Sequence, residues 1–272
     1  MLPLGISFYT FQAVSYTVDV YRRELPPIRN YLDYMLFVTF FPQLVAGPIE
    51  RAQNLIPQIL EPRRMTWERW CEGSTLFLIG LFKKLAVADA VAPIADKVFD
   101  NVGSCSSSEL LLGLYCFALQ IYADFSGYSD MARGLARFLG FDLMVNFNQP
   151  YFSANITEFW RRWHISLSTW LRDYVYIPLG GNRHGRFATY RNLMATMLLG
   201  GFWHGASWNF VIWGGLHGLY LAVDKMLREI WQAASANVPR SAEPAGSNVQ
   251  LRVSGNSEDD GSQVEPRRRL AA

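Results

Sequence analysis

The chain has 272 residues, half of them hydrophobic, 15% aromatic and 18% charged, with a formal charge of +2. That balance is richer in aromatics and poorer in charge than soluble domains usually are. So small a positive excess also argues against nucleic acid as a partner, which leaves a membrane protein as the leading class.

From the start, Met1 opens onto "LPLGISFYTF" with neither a basic n-region nor a small-residue cleavage site, so no cleaved signal peptide is expected and insertion rests on internal segments. Apolar stretches follow at 2–20, 32–49, 74–95, 109–125 and 193–223, with a shorter aromatic-rich one at 156–179. A bilayer crossing takes about 20 apolar residues, so the pattern predicts about five spans. Several are interrupted. "FFPQLVAGPIE" ends the second, Lys83 and Lys84 cut the third, and Asp124 and Asp130 lie at or beyond the end of the fourth. Polar groups and broken helices at membrane depth are tolerated only inside protein or against a wet cavity. Basic clusters fall on too many loops to set the orientation.

Cys71, Cys105 and Cys116 lack metal-ligand spacing and are expected to pack as small hydrophobes, with no metal site. Residues 233–272 contain no Phe, Trp or Tyr and five residues of each charge, and they lower the mean hydropathy to +0.06. They are expected to be a disordered polar tail.

Two segments carry polar chemistry. In "NITEFWRRWHISLSTWLRDYVYIPLGGNR", residues 155–183, one helix starting near Thr157 would align Arg161, His164, Ser168 and Arg172 on a single face. Trp160, Trp163 and Trp170 would form an interfacial belt, and a basic loop would lead to the next span. Here His164 is either a bystander on an interfacial amphipathic helix or part of a site. The second segment, "FWHGASWNF", places His204, Ser207 and Asn209 together in a span. An ionisable group there marks a functional site by default, the alternative being a hydrogen bond between helices. His217, about 220° further round an ideal helix, would face away from His204 unless the Gly200-Gly201 or Gly214-Gly215 pair bends the axis, and is expected to pair structurally with Asp224, with which it shares a face, or to lie at the interface.

No G-x-S-x-G elbow, P-loop, HExxH or dinucleotide fingerprint occurs. What remains is a membrane-embedded base without a protein nucleophile. An imidazole with a pKa near ~6.5 can take a proton from a hydroxyl at neutral pH, which suits group transfer to an alcohol.

"FWRRWHISLSTWLRDYVYIPLGGNR" and "LGGFWHGASWNFVIWGGLHG", together with "FVTFFPQLVAGPIER" and "QIYADFSGYSDMARGLARFLGFDL", resemble the membrane-bound O-acyltransferase family over residues 2–232, in its bacterial alginate O-acetylase-like branch. The resemblance implies an all-α integral membrane fold: a polytopic bundle with re-entrant and interfacial helices around a central channel, in the bacterial inner membrane. It carries the family's two site histidines onto His204, as general base, and His164, as its partner. Arg161, Arg172 and Asn209 are then candidates for orienting substrate. The donor would be a cytoplasmic acetyl-CoA-like thioester, with no bound cofactor. The acetyl group would move toward hydroxyls of an exported, alginate-like polysaccharide, with periplasmic partner proteins completing the transfer. The alternatives are D-alanine transfer toward teichoic acid and a truncated, non-catalytic channel or scaffold subunit. Members are usually longer, so residues 1–232 are expected to be a partial core.

Overall fold

A computed structural model describes residues 5–44 and 47–236. The expected tail lies mostly outside them. The described residues form helices and connecting segments, with no strand among them. In order these are α1 (Ile6–Tyr21), α2 (Tyr31–Thr39), α3 (Ala52–Leu60), α4 (Trp67–Phe82), a π-helical segment (Lys83–Ala88) and α5 (Asp89–Asp100). They continue with α6 (Ser107–Phe138), α7 (Ile156–Arg162), α8 (Ile165–Leu171), a second π-helical segment (Arg172–Tyr176), α9 (Gly185–His204) and α10 (Trp208–Ala236). Residues up to Glu229 form one compact unit, which contains everything below.

The longest helix, α6, starts where "SSSE" places Ser106 three residues before Glu109. The Glu109 amide bonds the Ser106 hydroxyl at 3.4 Å and the Ser106 amide bonds the Glu109 carboxylate at 2.7 Å, a reciprocal cap. Of the described helices, α6 alone is long and apolar enough to cross a bilayer. It packs antiparallel to α4 through facing glycines. A Cβ on Gly80 would stand 2.4 Å from the Gly127 carbonyl oxygen, and one on Gly134 would stand 2.7 Å from that of Gly73. Small residues at such contacts let helix backbones approach closely, as membrane helices require.

The charges that interrupt these helices meet one another. Lys83 pairs with Asp130 at 2.6 Å, and Lys84 with Asp124 at 2.7 Å and Asp89 at 2.8 Å. Lys83 and Lys84 open the π-helical segment, a backbone form frequent at functional or strained places.

Three sequence expectations change at the level of elements. The second apolar stretch gives the nine-residue α2 and a 3-10 turn at Phe41–Gln43. The final one, 193–223, is two antiparallel helices, because Gly205 and Ala206 break the chain and Ser207 starts a new helix with its hydroxyl accepting from the Asn209 amide at 3.3 Å. Gly201 and Gly214 lie at the α9–α10 crossing, where a Cβ on Gly201 would stand 2.3 Å from the Phe210 carbonyl oxygen. Cys71 is exposed, whereas Cys116 is buried; all three cysteines are free thiols.

Two apolar clusters fix the remaining elements. Phe37, Phe40, Leu55, Ile56, Phe141 and Leu143 tie α2 and α3 to the end of α6. Ile49, Leu167, Trp170 and Leu171 tie α8 to α1 through Phe8 and Phe11, with Trp203 of α9 against them.

Candidate functional site

The single helix predicted to start near Thr157 and to carry Arg161 through Arg172 is interrupted at His164. Asn155 caps α7 by accepting from the Glu158 amide at 2.8 Å. The Ala154 amide, at 2.8 Å, and then Arg162 hold the Glu158 carboxyl below the usual carboxylate range. Helix α7 ends after Arg162 because the extended segment 146–148 takes over the hydrogen bonding. The Asn148 amide donates to the Arg162 carbonyl at 2.9 Å and the Ile165 amide to the Asn146 carbonyl at 2.9 Å. The Asn146 side chain, 1% exposed, accepts from the Ser166 amide at 3.2 Å and the Ser166 hydroxyl at 2.9 Å, and donates to Ser129 at 3.2 Å.

His164 sits between the two helices with φ 41°, in the left-handed region that side-chain-bearing residues seldom occupy. Such a conformation persists only where its surroundings impose it, and it clusters at functional sites. Its consequence is to turn the imidazole inward: His164 is 2% exposed, with the Phe125 ring 4.6 Å away and the Phe147 ring 6.5 Å away.

From His164 a chain of rings leads to the other two predicted histidines. Trp203 lies 6.2 Å from His164 and 4.8 Å from His204. Trp213 lies 5.1 Å from His204 and 4.5 Å from His217. His217 also meets Trp160 of α7 at 5.2 Å and Tyr220 at 6.0 Å. The expectation that His217 faces away from His204 holds for a continuous helix not bent at its glycine pairs, and the helix is instead interrupted between His204 and Trp208. The break at Gly205 folds α10 back, so both imidazoles touch Trp213.

Burial leaves part of this chain without partners. Nε2 of His164, Nδ1 of His217 and the indole nitrogens of Trp160 and Trp203 are buried with no hydrogen-bond partner among the described residues. Leaving a buried polar atom unpaired costs about 1–3 kcal/mol. Four in one neighbourhood suit a place where polar ligand atoms are received.

The expected His217–Asp224 pair does not form. Asp224 accepts from the Thr157 hydroxyl at 2.6 Å and pairs with Arg228, one helical turn on, so its charge is met at the α7–α10 contact instead. Arg161 and Asn209 are exposed, Asn209 on the first turn of α10. Arg172 is exposed and bonds its neighbour Asp173 at 2.7 Å. None of the three joins the ring chain. Of the tryptophans expected to form a belt, Trp170 is buried, donating to the Phe11 carbonyl at 3.1 Å, while Trp160 and Trp163 pack against other rings. The expected basic loop ends at His184, beyond which Arg186 lies on α9 and pairs with Glu229 at 2.6 Å.

Sequence reading missed Asn146, Trp160, Trp203 and Trp213 as site residues. The dipeptide Trp203-His204 was a signal for one of them; Asn146, in an unpatterned loop, offered none.

Comparison with known proteins agrees with these motifs. Over 228 residues, 84% of this chain, it is 54% identical to "Probable alginate O-acetylase AlgI" of Azotobacter vinelandii, covering 45% of that protein. It is 43% identical over 251 residues to a peptidoglycan O-acetyltransferase of Helicobacter pylori, 83% of this chain and 48% of the relative. It is 26% identical over 261 residues to a teichoic acid D-alanyltransferase of Streptococcus thermophilus, 89% of this chain and 60% of the relative. The chain thus spans about half the length of the relatives it matches. The model of one family covers residues 6–254, and the chain belongs to that family, the membrane-bound O-acyltransferases.

Proposed function

We propose that this chain transfers an acetyl group from a thioester donor toward hydroxyls of an exported polysaccharide. His204 is the general base and His164 its partner. The observation that carries this reading is the placement of His164 and His204 on either side of Trp203, with Nε2 of His164 buried and unpartnered. The acceptor oxygen attacks the thioester carbonyl while the imidazole of His204 takes its proton. The C–S bond then breaks, the thiolate leaves and is protonated to the thiol, and the acceptor becomes an ester. The thioester supplies the driving force, while the protein supplies orientation and a base, effects worth several kcal/mol of barrier.

An acetyl donor and a polysaccharide acceptor are favoured by the names of the relatives with 54% and 43% identity. D-Alanine transfer toward teichoic acid is the second reading, supported by the more distant relative. A non-catalytic scaffold subunit would not need unpartnered imidazole and indole nitrogens in one neighbourhood. The setting we infer is multi-pass in the bacterial inner membrane, with α6 as one crossing, helices around a channel, and periplasmic partners completing the transfer.

The test is acetyl transfer in membranes that hold the protein together with its periplasmic partners, supplied with acetyl-CoA and alginate oligosaccharide. His204→Ala should reduce ester formation at least about a hundredfold, the typical scale of a general base, and leave membrane insertion unchanged. His164→Ala should cause a comparable loss. A His204→Ala protein that acetylates like wild type overturns the assignment, and transfer from a D-alanyl thioester but not from acetyl-CoA selects the second reading.

A further inference from the structure

Glu50 lies just before α3 in the stretch "GPIER", far in sequence from His164 and His204, and the reaction as proposed gives it no task. It is nonetheless 1% exposed, a depth that a carboxyl seldom reaches unless its oxygens are used. Oε1 accepts from the Met144 amide, and the Asn54 side chain and the Arg51 amide also bond the carboxyl. Burial pushes Glu50 up to about 7, so near neutral pH part of the population carries a proton. The Met144 amide needs an acceptor oxygen, which the charged and the neutral carboxyl both offer.

Met144 belongs to the segment that fixes His164. Two residues on, Asn146 accepts from the Ile165 amide at 2.9 Å through its carbonyl and from the Ser166 amide at 3.2 Å through its side chain. These are the first two amides after the histidine, so a shift of residues 144–146 is carried to the His164 backbone, whose φ of 41° has to be imposed from outside. The far end of the segment is held several times over. Gln58 exchanges hydrogen bonds with the Asp142 backbone at 2.8 and 3.0 Å, and the Asp142 carboxylate pairs with Arg69 at 3.1 Å and Arg137 at 2.8 Å. Nearer the histidine, Glu50 ties the chain at Met144.

We propose that Glu50 is a positioning residue of the acyl-transfer site: its carboxyl oxygen fixes residues 144–146 and, through Asn146, the orientation of His164. The proposal rests on the acyl-transfer reading and gives Glu50 no contact with substrate.

The test compares Glu50→Ala, Glu50→Gln and Glu50→Asp in the full chain, with Gln58→Ala as a control at the other end of the segment. Hydrogen exchange reads placement without chemistry. In Glu50→Ala the Ile165 and Ser166 amides should exchange at least about tenfold faster than in wild type, as expected when a hydrogen-bonded tether is lost. In Glu50→Gln, which keeps the oxygen, they should exchange at close to the wild-type rate. Acetyl transfer is then measured in membranes that hold the chain with its periplasmic partners, supplied with acetyl-CoA and alginate oligosaccharide. Glu50→Ala should lower kcat about ten- to a hundredfold, the scale of a misplaced catalytic group, with the acceptor KM unchanged. Glu50→Gln should recover most of that loss. Glu50→Asp, a milder change that withdraws the oxygen by one methylene, should fall between the two. Gln58→Ala should lower the melting temperature while keeping most of the turnover. Wild-type exchange and kcat in Glu50→Ala, or in Glu50→Asp should the alanine variant not fold, overturns the proposal. So does a glutamine variant as impaired as the alanine one, or an equal kcat loss in Gln58→Ala, which would make the effect one of stability alone. Faster exchange at Ile165 and Ser166 in Glu50→Ala, where the wild type transfers no acetyl group, leaves the tether to His164 standing and removes the reaction instead.

Discussion

Asn146 controls where the His164 imidazole points, although it touches no ring of the site. Its carbonyl and side-chain oxygens hold the first two amides after the break, and its side-chain nitrogen anchors the loop to Ser129 on α6. Asn146→Ala should leave the buried Ser166 donors without their acceptor, at about 1–3 kcal/mol for each group left unpaired. The expected outcome is a melting temperature lower by several degrees and a protein that still inserts but transfers acetyl groups poorly. Asn146→Asp, which keeps the acceptor oxygen, should retain more of both than the alanine variant. Equal activity in the two variants would show that the oxygen does not set the His164 position. The histidines themselves were legible, because an imidazole in an apolar segment stands out from its neighbours. What they touch was not. Trp203 and Trp213 acquire their roles from a helix reversal at Gly205, and Asn146 from a loop that crosses α7, and neither arrangement leaves a periodic trace in the sequence.

At the scale of elements, composition marked the helical class and the interruptions, while two of its apolar stretches, 32–49 and 193–223, are divided into shorter elements. Lys83, Lys84, Asp124 and Asp130 were visible as charges out of place; that they pair across one antiparallel contact is a property of two helices together. The same holds for glycine. Gly73 and Gly80 on α4 and Gly127 and Gly134 on α6 each repeat at seven residues, the spacing that returns to one helix face, and the two faces meet. Because a Cβ on Gly80 would lie 2.4 Å from the backbone oxygen of Gly127, relief requires the helices to move apart. Gly80→Leu should therefore cost at least about 1–3 kcal/mol, the usual penalty of overpacking. Gly103→Leu is the control, since nothing lies within 4 Å of a Cβ there. Thermal denaturation in detergent should show a lower midpoint for Gly80→Leu and a nearly unchanged one for Gly103→Leu; equal midpoints would mean that the seam tolerates separation.

For the molecule as a whole, the membrane setting bears most directly on α6. Its 32 residues extend about 48 Å at 1.5 Å per residue, longer than the ~30 Å hydrocarbon core of a bilayer. The two ends differ in character. Leu111, Leu112, Leu114 and Tyr115 are each more than half exposed and lie on several sides of the first turns, where only lipid or further protein can cover them. Asp130, Arg133 and Arg137 on the final turns are engaged by Lys83, Glu72 and Asp142, which is compatible with an interface and not with lipid tails. If the apolar half crosses the bilayer, the two ends of α6 lie on opposite sides. With the three native cysteines replaced by alanine, Ser107→Cys and Arg137→Cys should react with a membrane-impermeant maleimide from opposite faces of sealed vesicles, and Tyr115→Cys should stay unreactive until detergent is added. Labelling of both ends from the same face would place α6 along the membrane rather than across it. The exposed leucines near its start would then have to lie in the interface or against other protein.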